Sequence, residues 1–214
     1  MVQLYALDLQ PLLAGGWEDL MPQLSRWRQK KVMSLCHDAD RARSAGAGWL
    51  LDYALTEAGI PRDQRAIRLR PGGKPELERG GVHFSLGHAG PWAVCALADT
   101  PVGVDVELPR CTMATARRFF APAEVAQVEA LPEQARPDAL LRLWTAKEAF
   151  TKALGQGLSL GLSSFEVRLR ADGADLIQRA TDLPYRLEEY PLLPSRVCLC
   201  TVEPRPALRI LRAK

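Results

Sequence analysis

Two acidic residues that alternate with valines are the first feature of the sequence that could take part in chemistry. They are Asp105 and Glu107, in the stretch 102–107, whose composition predicts a β-strand. Because side chains alternate between the two faces of a strand, both carboxylates point the same way. Two such carboxylates repel each other unless a cation or protons lie between them. Mg²⁺ suits this arrangement, since it prefers oxygen ligands and also takes substrate phosphates. The alternative is a pair of solvated acids at a strand end.

The segment 144–152 predicts a helix that carries a second set of reactive side chains. Trp144, Glu148 and Lys152 follow one another at four-residue spacing, so they share one helix face. Glu148 can add a third carboxylate to a metal site, and Lys152 can meet a phosphate as a point charge. The alternative is an exposed Glu148–Lys152 ion pair, which would contribute only a few tenths of a kcal/mol.

A glycine-rich pair of segments comes earlier in the chain. Gly73-Lys74-Pro75 is followed by the stretch 82–90, in which a turn near residues 87–90 contains His88. Glycines let a backbone approach a ligand closely, and a histidine in such a turn can donate to an anionic oxygen. The alternative is a hairpin with a structural histidine.

A basic run between residues 26 and 43 completes the set. The run contains only two acidic residues, Asp38 and Asp40. Its basic residues are Arg26, Arg28, Lys30, Lys31, Arg41 and Arg43. A basic helix pair can bind phosphate or an acidic protein. The alternative is a solvated helical face.

The elements that must position these residues predict an α+β fold. Patterning predicts strands at 2–9, 66–70, 82–85, 92–98, 102–107, 164–170, 185–190 and 196–202, and helices at 17–27, 38–58, 122–131 and 137–154. Each half reads as helices followed by a meander of strands, which predicts two similar lobes, residues 1–100 and 101–214. We expect the basic tail from Pro204 to be loosely held.

Composition and charge exclude several classes. The 214 residues are 47% hydrophobic and 25% charged, which is typical of a folded globular chain. There is no apolar run near 18 residues and no secretory signal pattern, so we expect a cytoplasmic protein without a membrane partner. A net charge of +3 is too small to indicate nucleic-acid binding. The phosphate-loop, dinucleotide-binding and hydrolase-elbow motifs are absent from the sequence.

Taken together, the motifs are far more specific than any one of them. In order they are the basic run, Gly73-Lys74-Pro75, Phe84-Ser85-Leu86-Gly87-His88, Gly103-Val104-Asp105-Val106-Glu107 and Trp144-Thr145-Ala146-Lys147-Glu148-Ala149-Phe150-Thr151-Lys152. This combination closely resembles the 4'-phosphopantetheinyl transferase superfamily, surfactin-synthetase-activating type. The resemblance covers nearly the whole chain, including Phe119-Phe120-x-x-x-Glu124 and Gly155-Gln156-Gly157-Leu158-Ser159.

The resemblance implies a pseudo-twofold α+β fold, with coenzyme A between two lobes of a monomer. It implies transfer of the 4'-phosphopantetheine arm of coenzyme A to a serine of an apo acyl or peptidyl carrier protein, with release of adenosine 3',5'-bisphosphate. The pathway served, fatty-acid, polyketide or nonribosomal peptide synthesis, stays open. The implied ligands of Mg²⁺ are Asp105, Glu107 and Glu148. The implied catalytic residues are Glu148 and Lys152, and the implied coenzyme A contacts are Arg28, Lys31, Arg43, Lys74, His88, Asp105 and Lys152.

One stretch departs from the family pattern. Many members have Asn-x-Ser-His-Ser where this chain has Ser85-Leu86-Gly87-His88-Ala89. Gly87 and Ala89 carry no hydroxyl, so any phosphate contact there must use backbone N–H groups. The base that accepts the serine proton is either Glu148 or a metal-bound water. Two other functions stay open: a Mg²⁺-dependent coenzyme A pyrophosphatase, and a non-enzymatic basic module that binds nucleic acid or an acidic partner.

Overall fold

The computed structural model of the protein describes residues 1–212, and this part of the chain contains six α-helices and eleven β-strands. The helices are α1 (Gln10–Ala14), α2 (Arg26–Met33), α3 (Asp38–Glu57), α4 (Met113–Phe119), α5 (Pro122–Glu129) and α6 (Arg136–Leu154). The strands are β1 (Gln3–Asp8), β2 (Ile67–Leu69), β3 (Pro75–Leu77), β4 (His83–Ala89), β5 (Trp92–Ala98), β6 (Gly103–Glu107), β7 (Glu166–Arg170), β8 (Gly173–Ile177), β9 (Arg186–Leu192), β10 (Ser195–Thr201) and β11 (Leu208–Arg212). Short 3₁₀-helices lie at Trp17–Gln23, Arg62–Gln64, Glu133–Ala135, Gly157–Ser159 and Leu162–Ser164.

The strands form two main sheets. The first has the order β11-β1-β5-β4, and the second has the order β6-β10-β9-β8-β7, while β2 and β3 pair separately. β6 runs antiparallel to β10, with Asp105 opposite Cys198. The acidic strand is therefore an edge strand of the second sheet, with one side free to meet other elements.

Apolar side chains form a layered core on both sheets. One cluster packs α3 on the first sheet through residues such as Leu50 and Tyr5, and another packs α6 on the second sheet through Phe150 and Val167. A third cluster joins the two sheets and includes Val104 of β6. This arrangement confirms the predicted α+β class. None of the helices in residues 1–212 combines the length and apolarity needed to cross a bilayer.

A glycine brings the acidic strand directly against α6. A Cβ at Gly103 would lie 1.9 Å from the carbonyl oxygen of Ala149 and 2.4 Å from the backbone nitrogen of Ala153. Only a residue without a side chain allows the two backbones to approach this closely. The contact places the carboxylates of β6 beside the helix face that carries Glu148 and Lys152.

Three local predictions were wrong. The strand predicted at 82–85 continues to Ala89, so His88 lies on β4 and the turn lies beyond it. The tail is not loosely held throughout, because β11 pairs parallel to β1, with Ile210 opposite Ala6. The helix predicted at 17–27 is instead a 3₁₀-helix at Trp17–Gln23, and α2 begins separately at Arg26. Pairing with a distant strand, as for β11, leaves no local signal in the sequence.

Candidate active site

The acidic strand and the reactive face of α6 line one cleft of about 530 Å³. The first sheet contributes β4 to its wall, α2 contributes basic side chains, and the turn at Gly72–Gly73 closes one side. Most of the residues singled out in the sequence line this cleft: Arg28, Lys31, Lys74, His88, Asp105, Glu107, Trp144, Glu148 and Lys152. Arg43 is not among the lining residues.

Asp105 is the most buried acid of the cleft, with 5% of its surface exposed. Its Oδ1 accepts a hydrogen bond from Lys152 Nζ at 2.7 Å. Its Oδ2 is buried and has no hydrogen-bond partner in the described part of the chain. A buried carboxylate oxygen without a partner is costly, so this atom calls for a cation or a donor from a ligand.

The three carboxylates of the cleft influence one another. Burial is the main cause that raises the pKa of Asp105, Glu107 and Glu148 above their ordinary values. The charge of Asp105 raises the pKa of Glu107 and Glu148 further, while Lys152 opposes all three shifts. Mutual repulsion of this kind is relieved by a cation between the groups.

The carboxylates fit Mg²⁺ better than a metal that needs a complete protein cage. No group of three closely spaced metal-ligating side chains occurs within residues 1–212. Mg²⁺ is commonly held by one or two carboxylates together with waters and substrate phosphates. The unpartnered Oδ2 of Asp105 beside two further acids meets that requirement.

Lys152 connects three elements at the centre of the cleft. Its Nζ donates to Asp105 on β6 at 2.7 Å and to the carbonyl oxygen of Leu86 on β4 at 3.1 Å. Gly87 leaves room for it, since a Cβ there would lie 3.3 Å from Nζ. The alternative of an exposed Glu148–Lys152 ion pair is wrong, because Lys152 pairs with Asp105 across the cleft.

Lys147 of the same motif points away from the cleft. Its fully buried Nζ contacts Glu124 Oε1 at 2.7 Å and donates to the carbonyl oxygens of Leu162 and Phe165 at 2.7 and 2.9 Å. The Glu124 carboxylate also accepts from the backbone N–H groups of Ala121 and Val167. Every donor of Lys147 is thus used inside the protein, and its role is structural.

Two basic side chains of α2 face the cleft without a compensating carboxylate among residues 1–212. Arg28 is 4% exposed, its Nε has no partner, and its guanidinium lies 4.7 Å from the centre of the Trp27 ring. Burial lowers the pKa of Arg28 to about 10 and also lowers that of Lys31. Both side chains would gain from an anion in the cleft.

The other residues of the basic run are used differently. Arg43 donates to the carbonyl oxygen of Gly90 and to Asp40, both at 3.0 Å. Arg41 donates to the carbonyl oxygen of Leu35 at 2.9 Å and to Asp38 at 3.1 Å. The guanidinium groups of Arg41 and Arg43 therefore hold the segment 35–43 and the turn after β4, and the run does not act as one basic surface.

His88 and Lys74 both carry lowered pKa values. The His88 side chain is exposed to solvent. Desolvation by the adjacent cleft walls, followed by the charges of Lys152 and Arg28, lowers its pKa to about 4, so its imidazole is neutral at pH 7. Burial lowers the pKa of Lys74 to about 8. Lys74 Nζ donates to the carbonyl oxygens of Val102 at 2.8 Å and Ala153 at 3.3 Å.

Comparison with known proteins decides the family. A family model described as the 4'-phosphopantetheinyl transferase superfamily matches residues 101–201. The chain is 32% identical to the 4'-phosphopantetheinyl transferase psf-1 of Bacillus pumilus, over 96% of this chain and 92% of the relative. It is 31% identical to the 4'-phosphopantetheinyl transferase Sfp of Bacillus subtilis (strain 168), over 91% and 89% of the two chains. A further 4'-phosphopantetheinyl transferase of Bacillus subtilis is 34% identical over 77% and 75%.

The chain belongs to the 4'-phosphopantetheinyl transferase superfamily. The resemblance drawn from the motifs is confirmed, and so is the expectation of an enzyme that transfers the phosphopantetheinyl group. In this transferase, the matched residues 101–201 include β6 and the whole of α6, which supply the three carboxylates and Lys152.

Several residues that line the cleft of this transferase were given no role in the sequence analysis. Ser85 accepts a hydrogen bond from the backbone N–H of Val104 at 3.0 Å and so connects β4 to β6. Thr151 is buried, and its hydroxyl has no partner in the described part of the chain. Trp27 flanks Arg28. Ser85 and Thr151 lie within the quoted motifs, but nothing in the spacing of these three residues distinguishes them from core residues.

Proposed function

We propose that the cleft binds coenzyme A and Mg²⁺ between the two lobes, residues 1–100 and 101–214. The enzyme would transfer the 4'-phosphopantetheine arm to a serine of an apo acyl or peptidyl carrier protein and release adenosine 3',5'-bisphosphate. The observation that supports this most strongly is the cleft itself. One side of the cleft carries the three acids, and among them the Oδ2 atom of Asp105 has no partner in the described part of the chain. The other side carries Arg28 and Lys31, which no carboxylate among residues 1–212 compensates.

The cations are suited to the phosphates of coenzyme A. Arg28 is buried and Lys31 is exposed, and neither has a nearby carboxylate among residues 1–212, which favours an anionic ligand. His88, neutral at pH 7, can donate a single N–H to a phosphate oxygen. Lys74 borders the same cleft, while Arg43 does not line it but adds to the positive potential at His88.

The acids are suited to the metal. Asp105, Glu107 and Glu148 would hold Mg²⁺ together with waters and the pyrophosphate, since the three carboxylates do not form a closely spaced ligand group by themselves. When bound, Mg²⁺ supplies charge neutralisation and Lewis-acid activation at the pyrophosphate. Asp105 would contribute Oδ2, since its Oδ1 is already bonded to Lys152.

The chain's own residues would carry the proton transfer and the charge compensation. The carrier serine oxygen attacks phosphorus in line with the leaving phosphate, a reaction in which positioning and electrostatics dominate. Glu148 lines the cleft beside Asp105 and Lys152, and we assign it as the group that accepts the serine proton. Lys152 keeps one N–H free of Asp105 and Leu86, and that hydrogen can meet the developing phosphate charge.

Intact-mass measurement tests the function. The protein is incubated with coenzyme A, Mg²⁺ and either an apo acyl or an apo peptidyl carrier protein. We expect one phosphopantetheine arm to be added to the carrier, with no addition in excess chelator and recovery when Mg²⁺ is restored. Cleavage of coenzyme A without any gain in carrier mass would instead indicate a pyrophosphatase.

Replacement of Glu148 tests its role as the base. Glu148→Gln keeps the side-chain volume, and we expect kcat to fall by at least ~10²-fold, the lower range for loss of a general base. Glu133→Gln, an exposed change in the short helix before α6, serves as the control and should leave kcat unchanged. A near wild-type kcat for Glu148→Gln at saturating Mg²⁺ would contradict the assignment.

A further inference from the structure

The turn before β3 packs directly on the carboxyl end of α6 through three glycines. A Cβ at Gly72 would lie 2.3 Å from the carbonyl oxygen of Gly155, and a Cβ at Gly157 would lie 2.8 Å from that of Gly72. Gly155 and Gly157 have φ values of +70° and +58°. We call Gly72, Gly155 and Gly157 the glycine contact. It joins two backbone segments that both line the cleft.

Lys74 reinforces the glycine contact with hydrogen bonds. Its Nζ donates to Ala153, the residue after Lys152 on α6, and to Val102, which immediately precedes β6. Its stem also lies over Gly155, where a Cβ would come within 3.0 Å of Lys74 Cδ. One side chain from the first half of the chain thus holds α6 and β6 together, at the end where Lys152 meets Asp105.

These contacts distinguish Lys74 from Arg28 and Lys31, the two cleft cations of α2. Two of its three ammonium hydrogens are bonded to backbone carbonyl oxygens. Arg28, by contrast, has an unpartnered Nε, and no carboxylate among residues 1–212 compensates Lys31. Arg28 and Lys31 therefore offer a phosphate more free donors than Lys74, which keeps one ammonium hydrogen beyond its two backbone acceptors.

We propose that Lys74 and the glycine contact position the last turn of α6, so that Lys74 contributes to transfer through Lys152 and not by binding a phosphate of coenzyme A. This inference rests on the proposed function. Without the hydrogen bond to Ala153, the last turn of α6 can shift relative to β6. Small displacements of a charged group from its working position cost about one to two orders of magnitude in rate.

Lys74→Met tests the proposal, because methionine retains most of the stem and removes the donors. Lys31→Met is the matched control, which removes a cleft cation without touching the glycine contact. With coenzyme A and with dephospho-coenzyme A, we expect Lys74→Met to lower kcat by the same factor of about ten and to leave both KM values within about twofold. Lys31→Met should raise KM without a comparable loss of kcat.

Hydrogen exchange in the ligand-free protein provides a readout independent of activity. The amide of Gly155, which donates to the carbonyl oxygen of Thr151, should exchange faster in Lys74→Met and at the wild-type rate in Lys31→Met. Gly72→Ala should reproduce the kcat loss without removing any charge. If that variant does not fold, the Lys74→Met measurements decide alone.

Three results would overturn the positioning role. A KM increase in Lys74→Met that is larger for coenzyme A than for dephospho-coenzyme A would make Lys74 a phosphate ligand. Wild-type kinetics of Lys74→Met would show that the contacts do not matter for transfer. Unchanged exchange at Gly155 would separate Lys74 from α6. Absence of carrier modification by the wild-type protein would instead refute the proposed function, since the exchange measurement is independent of transfer.

Discussion

Helix α6 carries two lysines, Lys147 and Lys152, and each pairs with a carboxylate from another element. The two pairs differ in how many polar atoms are left without a hydrogen-bond partner. Lys147 and Glu124 are completely buried, and every donor of the lysine is bonded inside the protein. Lys152 and Asp105 have the same 2.7 Å separation, but the lysine side chain is 30% exposed and Asp105 Oδ2 lacks a partner in the described chain. An ion pair whose donors and acceptors are all hydrogen-bonded inside the protein stabilises the fold. An ion pair that keeps an unpartnered donor or acceptor can take part in chemistry.

The first pair is therefore expected to show the larger effect on stability. Lys147→Met leaves the Glu124 carboxylate buried and uncompensated, which should lower the free energy of unfolding by about 3–5 kcal/mol. Urea denaturation measures this loss. The double variant Glu124→Gln/Lys147→Met should regain part of it, and a single variant as stable as the wild type would make the two pairs equivalent.

The second pair is expected to show its effect on activity. Lys152→Met removes a donor from the developing phosphate charge, so kcat should fall by about 10²–10³-fold. The loss of unfolding free energy should be smaller than for Lys147→Met, because Asp105 faces the cleft. Steady-state kinetics tests the loss of kcat, and urea denaturation of the same preparation tests the loss of stability. A stability loss equal to that of Lys147→Met would contradict the difference between the two pairs.

Replacing Asp105 and Glu124, the acids of the two pairs, with their isosteric amides tests the difference between the pairs more directly. Asp105→Asn removes a charge that is unfavourably buried and that repels Glu107 and Glu148, so stability should stay level or rise while activity is lost. Glu124→Gln leaves Lys147 uncompensated, so stability should fall. Thermal unfolding of the two variants without Mg²⁺ should give shifts of opposite sign or a shift for Glu124→Gln alone.

His88 gives the smallest expected effect. Its pKa is about 4 in the folded protein and near 6.5 when unfolded, because the cleft desolvates it and Lys152, Arg28, Lys31 and Arg43 repel its protonated form. The unfolded chain binds more protons between these values, so His88 makes stability rise with pH from about 4 to 6.5. His88→Gln should flatten that rise in denaturation measured at several pH values. An identical pH dependence in both proteins would contradict the lowered pKa.

Much of the site follows from local spacing. Alternation on a strand predicts that Asp105 and Glu107 share a face, and four-residue spacing predicts the same for Trp144, Glu148 and Lys152 on a helix. All five line the cleft. The roles assigned to them stay predictions until the variants are measured.

Other features were beyond the reach of local spacing. The final strand β11 lies beside β1, although nearly the whole chain separates them. Lys152 pairs with Asp105, 47 residues away, and not with Glu148 on the same helix face. Lys74 bonds to Ala153 at a separation of 79 residues. Such partners depend on how sheets and helices pack, and no periodicity encodes them.

The sequence by itself determined the family, through its motifs, and the α+β class, through its patterning. It also determined the faces on which the reactive side chains lie, because backbone geometry fixes side-chain direction within a strand or helix. Tertiary structure decided which lysine of the Trp-x-x-Lys-Glu-x-x-x-Lys motif is buried, which acid keeps an unpartnered oxygen and which cations keep free donors. The physical reason is desolvation: the availability of a charge for chemistry depends on the groups that surround it, and those groups come from distant parts of the chain.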